Sequence, residues 1–133
     1  MSRFQKLSHV IWHCQYHIVW CPKYRYRVLK GNIADFLGQL IQVEVKKMKG
    51  QIIELNVQVD HVHLLLRVPP KISISQLMGT IKGKSAIQIF QRFPSMRTKK
   101  YWGNHFWASG YCVDTVGLDT EKVRKYVNYQ EDK

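Results

Sequence analysis

The chain has 133 residues, 45% of them hydrophobic, which suits one domain with a real core and excludes an intrinsically disordered polymer. Its 21 Lys and Arg stand against 9 Asp and Glu, a formal charge of +12, so a polyanion is the expected partner. Cys14, Cys21 and Cys112 are odd in number and form no Cys-x-x-Cys pair, which argues against a disulfide framework and a cysteine zinc site.

No apolar run approaches the ~20 residues that span a bilayer, so no membrane partner is expected. The opening MSRFQKLSHVIW lacks the pattern of a signal peptide, and a reduced cytoplasm is the expected location. Residues 12–21 alternate, with Trp12, Cys14, Tyr16, Ile18 and Trp20 on one face and His13, Gln15 and His17 on the other, which predicts a strand. The basic, aromatic run Pro22-Lys23-Tyr24-Arg25-Tyr26-Arg27 follows. Ala34, Leu37, Ile41, Val45 and Met48 recur at helical spacing and predict a helix over 33–48, with Asn32 as N-cap and Gly50 as stop. Residues 52–59 alternate again, Ile53, Leu55, Val57 and Val59 facing one way. A tight connection at Asp60 leads into a strand over 61–68 with Val62, Leu64, Leu66 and Val68 inward, so the two form an antiparallel hairpin. A second helix is expected from Ser73 or Ser75 to Phe93, although Gly79 and Gly83 weaken it. A fourth strand is expected within 106–113, then a short helix from Glu121 to Gln130 capped by Thr120 or Asp119.

This order predicts an α+β fold, a ferredoxin-like split βαβ sandwich over 1–133: an antiparallel sheet, two helices on one face, the other face open for a site, and a last helix that the basic fold does not place.

His61 and His63 are two apart on a strand and share its polar face, about 6.6 Å apart along the chain. Two imidazoles so placed can ligate one divalent ion. The bare motif is equally that of two surface histidines. Asp60 is a candidate supporting group or a turn residue. On the last helix Tyr126 and Gln130 lie four apart on one face. Gln130 can offer a carbonyl oxygen to an ion, and Tyr126 can serve as a nucleophile, but Val123, Tyr126, Val127 and Gln130 also fit a packing stripe, and Tyr129 competes with Tyr126. Lys23, Arg25, Arg27, Lys82, Lys84, Arg92, Arg97, Lys99 and Lys100 are candidates for phosphate contacts, and Tyr24, Tyr26, Tyr101 and Trp102 for stacking on bases.

Together these segments resemble the single-tyrosine HUH transposases (TnpA type) of minimal bacterial and archaeal insertion sequences. The resemblance rests on His61-Val62-His63 within Asp-His-Val-His-Leu-Leu-Leu and on Tyr126 followed four residues later by Gln130. It extends to the stretches at 16–25, 81–85 and 107–117, and so to nearly the whole chain. It implies that His61, His63 and Gln130 bind Mg²⁺ or Mn²⁺. It implies that Tyr126 attacks the scissile phosphate, becomes linked to the 5′ phosphate and releases a 3′-OH. The implied substrate is single-stranded DNA with hairpins near the element's ends. The implied assembly is a prokaryotic, cytoplasmic homodimer whose C-terminal helix, about 119–131, docks on the partner subunit through a hinge at 114–119. Composite sites follow, with the histidines from one chain and Tyr126 and Gln130 from the other. The competing readings are a non-catalytic single-stranded nucleic-acid binder, a domesticated repeat-nicking relative, and a histidine metallohydrolase of another kind.

Overall fold

The computed structural model describes residues 5–7, 10–12, 14–96, 105–115 and 120–131, with side chains for 14–96, 105–115 and 125–130. Nine elements follow in order: β1 (Gln5–Leu7), β2 (Val10–Trp12), β3 (Gln15–Trp20), α1 (Gly31–Lys47), β4 (Gln51–Val57), β5 (Val62–Arg67), α2 (Ile74–Arg92), β6 (Cys112–Asp114) and α3 (Thr120–Glu131). Strands β3 to β6 form one antiparallel sheet in the order β4-β5-β3-β6, so the crossover through α1 passes over β5. That is the split βαβ arrangement expected.

Alternation builds the two faces. Ile18 and Trp20 of β3 and Val62, Leu64 and Leu66 of β5 are fully buried beneath Leu37 and Ile41 of α1 and Leu77 and Ile81 of α2. The neighbouring residues, Val19 and Cys21, turn to the opposite face. There α3 lies on the sheet, Val127 and Tyr126 packing on Val19, Cys21 and Cys112. The second face is therefore partly covered by the chain's own last helix.

Several boundaries differ from the sequence expectation. The strand expected over 12–21 is divided: Val10–Trp12 pairs with Gln5–Leu7 in a separate hairpin, and only Gln15–Trp20 joins the sheet. Asn32 does not cap α1. The helix begins two residues earlier than expected, at Gly31, whose φ of +60° makes the turn from Lys30. At the other end Lys49 takes the left-handed position, and Gly50 is needed for close approach instead, since a Cβ there would lie 2.9 Å from Val45 Cγ1 and 3.1 Å from the Arg67 carbonyl.

In β4 a bulge between Ile52 and Glu54 shifts the phase. Ile52, Leu55 and Val57 face the core, and Ile53 is 43% exposed. The second helix starts where expected, beside Ser73, which caps it, its hydroxyl accepting from Gln76 N at 3.0 Å. Gly79 and Gly83 lie on its exposed side, where they do not interrupt packing. The fourth strand is only Cys112–Asp114. Phe106, Trp107 and Ala108, expected within it, form a buried loop stitched to the end of β3 by Ala108 N to Cys21 O (3.0 Å) and Lys23 N to Phe106 O (2.9 Å). Trp107 Nε1 donates to Ser85 Oγ of α2 at 2.8 Å. No helix among the described residues is long and apolar enough to cross a membrane.

Candidate active site

The turn from β4 to β5 is closed by Gln58 N donating to His61 O at 2.8 Å and tied to the rest of the fold by Leu29 N donating to Val59 O at 2.9 Å. Asp60 sits in it, 7% exposed. A buried carboxylate needs partners, and it has two. Arg25 Nε donates to Oδ2 and His61 Nδ1 to Oδ1, each at 2.7 Å. Burial pushes the Asp60 carboxyl up, but the hydrogen bond from His61 and the charge of Arg25 outweigh it and hold the group below its ordinary value.

His63 follows two residues on, and the ring centroids of His61 and His63 are 4.8 Å apart at 73°. Imidazoles sharing one ion hold their centroids roughly 5 Å apart, given metal–nitrogen bonds of about 2.1 Å. His63 Nδ1 lies 3.2 Å from His17 Nε2 of β3. Burial, with His61 and His17 beside it, lowers the His63 pKa to about 4, so the ring is neutral at physiological pH and has a lone pair to give. Burial also lowers the His17 pKa, against the opposing charges of Asp114 and Glu54. Nδ1 of each of His61 and His63 faces a partner, so Nε2 is the ring nitrogen of each turned toward a ligand.

Tyr126 and Gln130 reach this face from α3. The Tyr126 hydroxyl donates to the Gly110 carbonyl at 3.4 Å, not to a histidine, and burial beside Cys21 pushes its pKa well above the ordinary tyrosine value. Tyr129, the competing tyrosine, is 58% exposed and stands outside the cluster that Tyr126 joins. Val19, under Tyr126, is the direct cross-strand partner of His63, and such partners hold their Cβ atoms about 5 Å apart. Gln130 is 3% exposed, and its Oε1 is buried with no hydrogen-bond partner. It lines a cleft of about 360 Å³ with Lys23, Tyr24, His105, Trp107, Ala108 and Ser109. The turn Lys23–Arg25 lies against α3 and, through Arg25, reaches Asp60 and His61.

Imidazole nitrogen and amide oxygen are ligand types that suit a divalent cation of the Mg²⁺ or Mn²⁺ kind, but the cleft that Gln130 lines includes neither His61 nor His63. Among the described residues no group of three or more His, Cys, Asp and Glu is arranged to hold a metal.

The basic candidates divide. Arg25 is bound to Asp60, and Lys82 Nζ donates to the carbonyls of Ala108 (2.8 Å) and Gly110 (2.9 Å). Lys84 pairs with Glu44 at 2.9 Å, and Arg92 lies 4.9 Å over the Phe36 ring. These four support the fold. Lys23 lines the cleft beside exposed Tyr24, whose ring packs edge-on against Tyr26, and Arg27 is exposed. Arg97, Lys99, Lys100, Tyr101 and Trp102 lie outside the described residues, as does most of the 114–119 segment. Sequence reasoning missed His17. Its one signal was its place on the polar face of a strand beside the histidine strand.

The family model for IS200-like transposases matches residues 10–130. The chain is 39% identical, over its whole length and 88% of the relative's, to the transposase of insertion sequence element IS200 from Salmonella typhimurium. The class defined here is a DNA transposase. A solved structure described as a transposase from Deinococcus radiodurans R1 is similar at a TM-score of 0.85 and 31% identity, covering 95% of this chain and 97% of that one. A REP-associated tyrosine transposase, solved bound to a REP hairpin, shares the fold at a TM-score of 0.58 and 16% identity, over 97% of this chain and 70% of its own. The chain belongs to the family of IS200-like transposases.

Proposed function

We propose that the chain cuts and rejoins single-stranded DNA at the ends of an insertion sequence through a 5′-phosphotyrosine on Tyr126. The observation that carries this reading is the paired His61 and His63, each with Nδ1 engaged and Nε2 left for a ligand, on the sheet face that α3 covers. His61 and His63, with Gln130, would hold Mg²⁺ or Mn²⁺. Such an ion, when bound, polarises a phosphate oxygen and offsets charge in the transition state.

The chain's own groups do the rest. Asp60 and His17 orient the two imidazoles. As the Tyr126 oxygen bonds to phosphorus the bond from phosphorus to the 3′ oxygen breaks, and the proton given up by the phenol to solvent is balanced by the one that the departing oxygen takes up to become a 3′-OH. The ester keeps the energy of the broken phosphodiester, so a second 3′-OH can reverse the step without ATP. At rest the Tyr126 hydroxyl is protonated and turned to Gly110, so the working arrangement requires α3 to move. Docking of α3 on a partner subunit supplies that movement and makes each site composite. Excision needs two cleavages, and one tyrosine per chain offers one covalent attachment, so two chains are needed. The hairpin bound by the REP-associated relative favours a hairpin-bearing substrate. The excess positive charge favours a phosphate backbone.

The test mixes the protein with end-labelled single-stranded DNA carrying an end hairpin, plus Mg²⁺ or Mn²⁺, on a denaturing gel. A covalent protein–DNA band and a free 3′-OH fragment are expected. Retention of that band in Tyr126→Phe overturns the nucleophile. Mixing His61→Ala chains with Tyr126→Phe chains should restore one site per mixed dimer. No rescue in confirmed dimers overturns the composite site.

A further inference from the structure

His17 is explained by neither the core nor the proposed ligands. It sits on β3 between two strands. His63 lies on its β5 side, and Asp114, its register partner, on its β6 side. The His17 and His63 planes are 21° apart, and their centroids, at 5.3 Å, are further apart than the facing nitrogens, at 3.2 Å, by close to two ring radii. Face-to-face stacking would bring the centroids closer than that. This is an in-line N–H···N bond between nearly coplanar rings.

One proton fits in such a bond, and a neutral pair has two ways to place it. If His17 donates, His63 carries its own proton on Nε2 and has no lone pair there. If His63 donates from Nδ1, its Nε2 is bare and His17 carries its proton on Nδ1. The fold favours the second. Asp114 stands on the side of His17 away from His63, and negative charge there attracts the proton to the far nitrogen, Nδ1. That nitrogen is buried without a hydrogen-bond partner, so no local donor competes for it. His61 is held the same way, Nδ1 toward Asp60.

We propose that His17 is a positioning residue, the proton acceptor that keeps His63 in the Nδ1–H tautomer and so leaves Nε2 open to a divalent ion. This rests on reading His61 and His63 as ligands. The two strand histidines then have matched supports, a carboxylate for His61 and a third histidine for His63. Motif spacing alone could not show the second, because His17 is 46 residues away in sequence.

The test reads the proton itself. Long-range ¹H–¹⁵N spectra of the metal-free, ¹⁵N-labelled chain should show His63 protonated on Nδ1. His17→Gln, whose amide oxygen can accept in place of Nε2, should keep that tautomer and bind Mn²⁺ within about threefold of wild type. His17→Phe keeps the ring and removes the acceptor. It should move the His63 proton to Nε2 and weaken Mn²⁺ binding about 10–100-fold. An unchanged His63 tautomer in His17→Phe overturns the proposal. So does His17→Gln binding as weakly as His17→Phe, or a Zn²⁺-induced shift at His17 Nε2 marking it as a ligand. A wild-type chain with the Nδ1–H tautomer that binds no Mn²⁺ overturns the metal reading instead, with the shared proton still in place.

Discussion

Asp60→Asn puts the support of His61 to the test. The native carboxylate accepts two bonds of 2.7 Å, from Arg25 Nε and from His61 Nδ1. Asn keeps one acceptor oxygen and turns an N–H₂ toward the other donor. One charge-assisted hydrogen bond is lost, worth about 1.5–3 kcal/mol. The side chains of Arg25 and His61 are each 20% exposed, so water relieves part of that loss and the lower end, about 1.5 kcal/mol, applies. Against a total stability of about 5–15 kcal/mol the variant still folds, melting about 4–8 °C lower. His61 also loses the anion that fixes its tautomer, so Mn²⁺ affinity should fall about 10–100-fold. A thermal scan in EDTA reads the first effect, and a Mn²⁺ titration followed by electron paramagnetic resonance reads the second. Mn²⁺ affinity within threefold of wild type would refute the orienting role of Asp60. An unchanged melting temperature in EDTA would refute the energetic reading of its two bonds.

The buried His63, its pKa lowered to about 4, gives a pH dependence. Between pH 6.5 and about 4 the unfolded chain binds a proton at this site that the folded chain does not, so the contribution of His63 to stability is constant above 6.5 and falls through that window. Melting curves of the metal-free protein should show the fall, and His63→Gln should flatten it. Burial raises Cys21 to about 12, so iodoacetamide at pH 8 should leave it unmodified in the native protein and label it in urea, as read by mass spectrometry. The bulge predicts unequal neighbours in β4. Ile53→Thr should change stability by less than about 0.5 kcal/mol, as at an exposed site, whereas Ile52→Ala should cost about 2 kcal/mol, and equal losses in urea titrations would contradict the register. Tyr126→Phe should abolish the covalent adduct while shifting the melting temperature by only a degree or two, because the hydroxyl makes one long bond of 3.4 Å.

Much of the architecture was legible because periodicity reports burial. The buried set of β5 and the ends of α2 follow from alternation and from Ser73. The errors have local causes. An inserted residue at Ile53 turns Ile52 to the core in its place while Leu55 and Val57 keep their expected face, and nothing in an alternating run of apolar residues marks it. The 12–21 strand read as one because its alternation continues across a break where pairing changes partners. Phe106 and Trp107 look like strand residues because they are buried, but their backbone bonds run to the loop after β3. At the site, the His61–His63 pair was readable from spacing of two. His17 and the Arg25–Asp60 pair were not, because they depend on which strands and turns the fold makes neighbours. Lys82 and Lys84 read as surface charge, because a charge count cannot tell a phosphate contact from a lysine capping carbonyls or paired with a buried glutamate.

The Gly110 carbonyl receives both the Tyr126 hydroxyl and the Lys82 ammonium. An exposed carbonyl that loses one donor is resolvated by water, and this one also keeps its bond from Lys82 of α2, so the Tyr126 hydroxyl adds little to holding α3 in place. Burial of Val127, worth about 1.5–3 kcal/mol, contributes more to holding the helix than that bond does. The berth is thus held by α2 on its own, so if α3 leaves for a partner subunit, as the composite site proposed above requires, the Gly110 carbonyl keeps its Lys82 bond and stands ready for the helix's return.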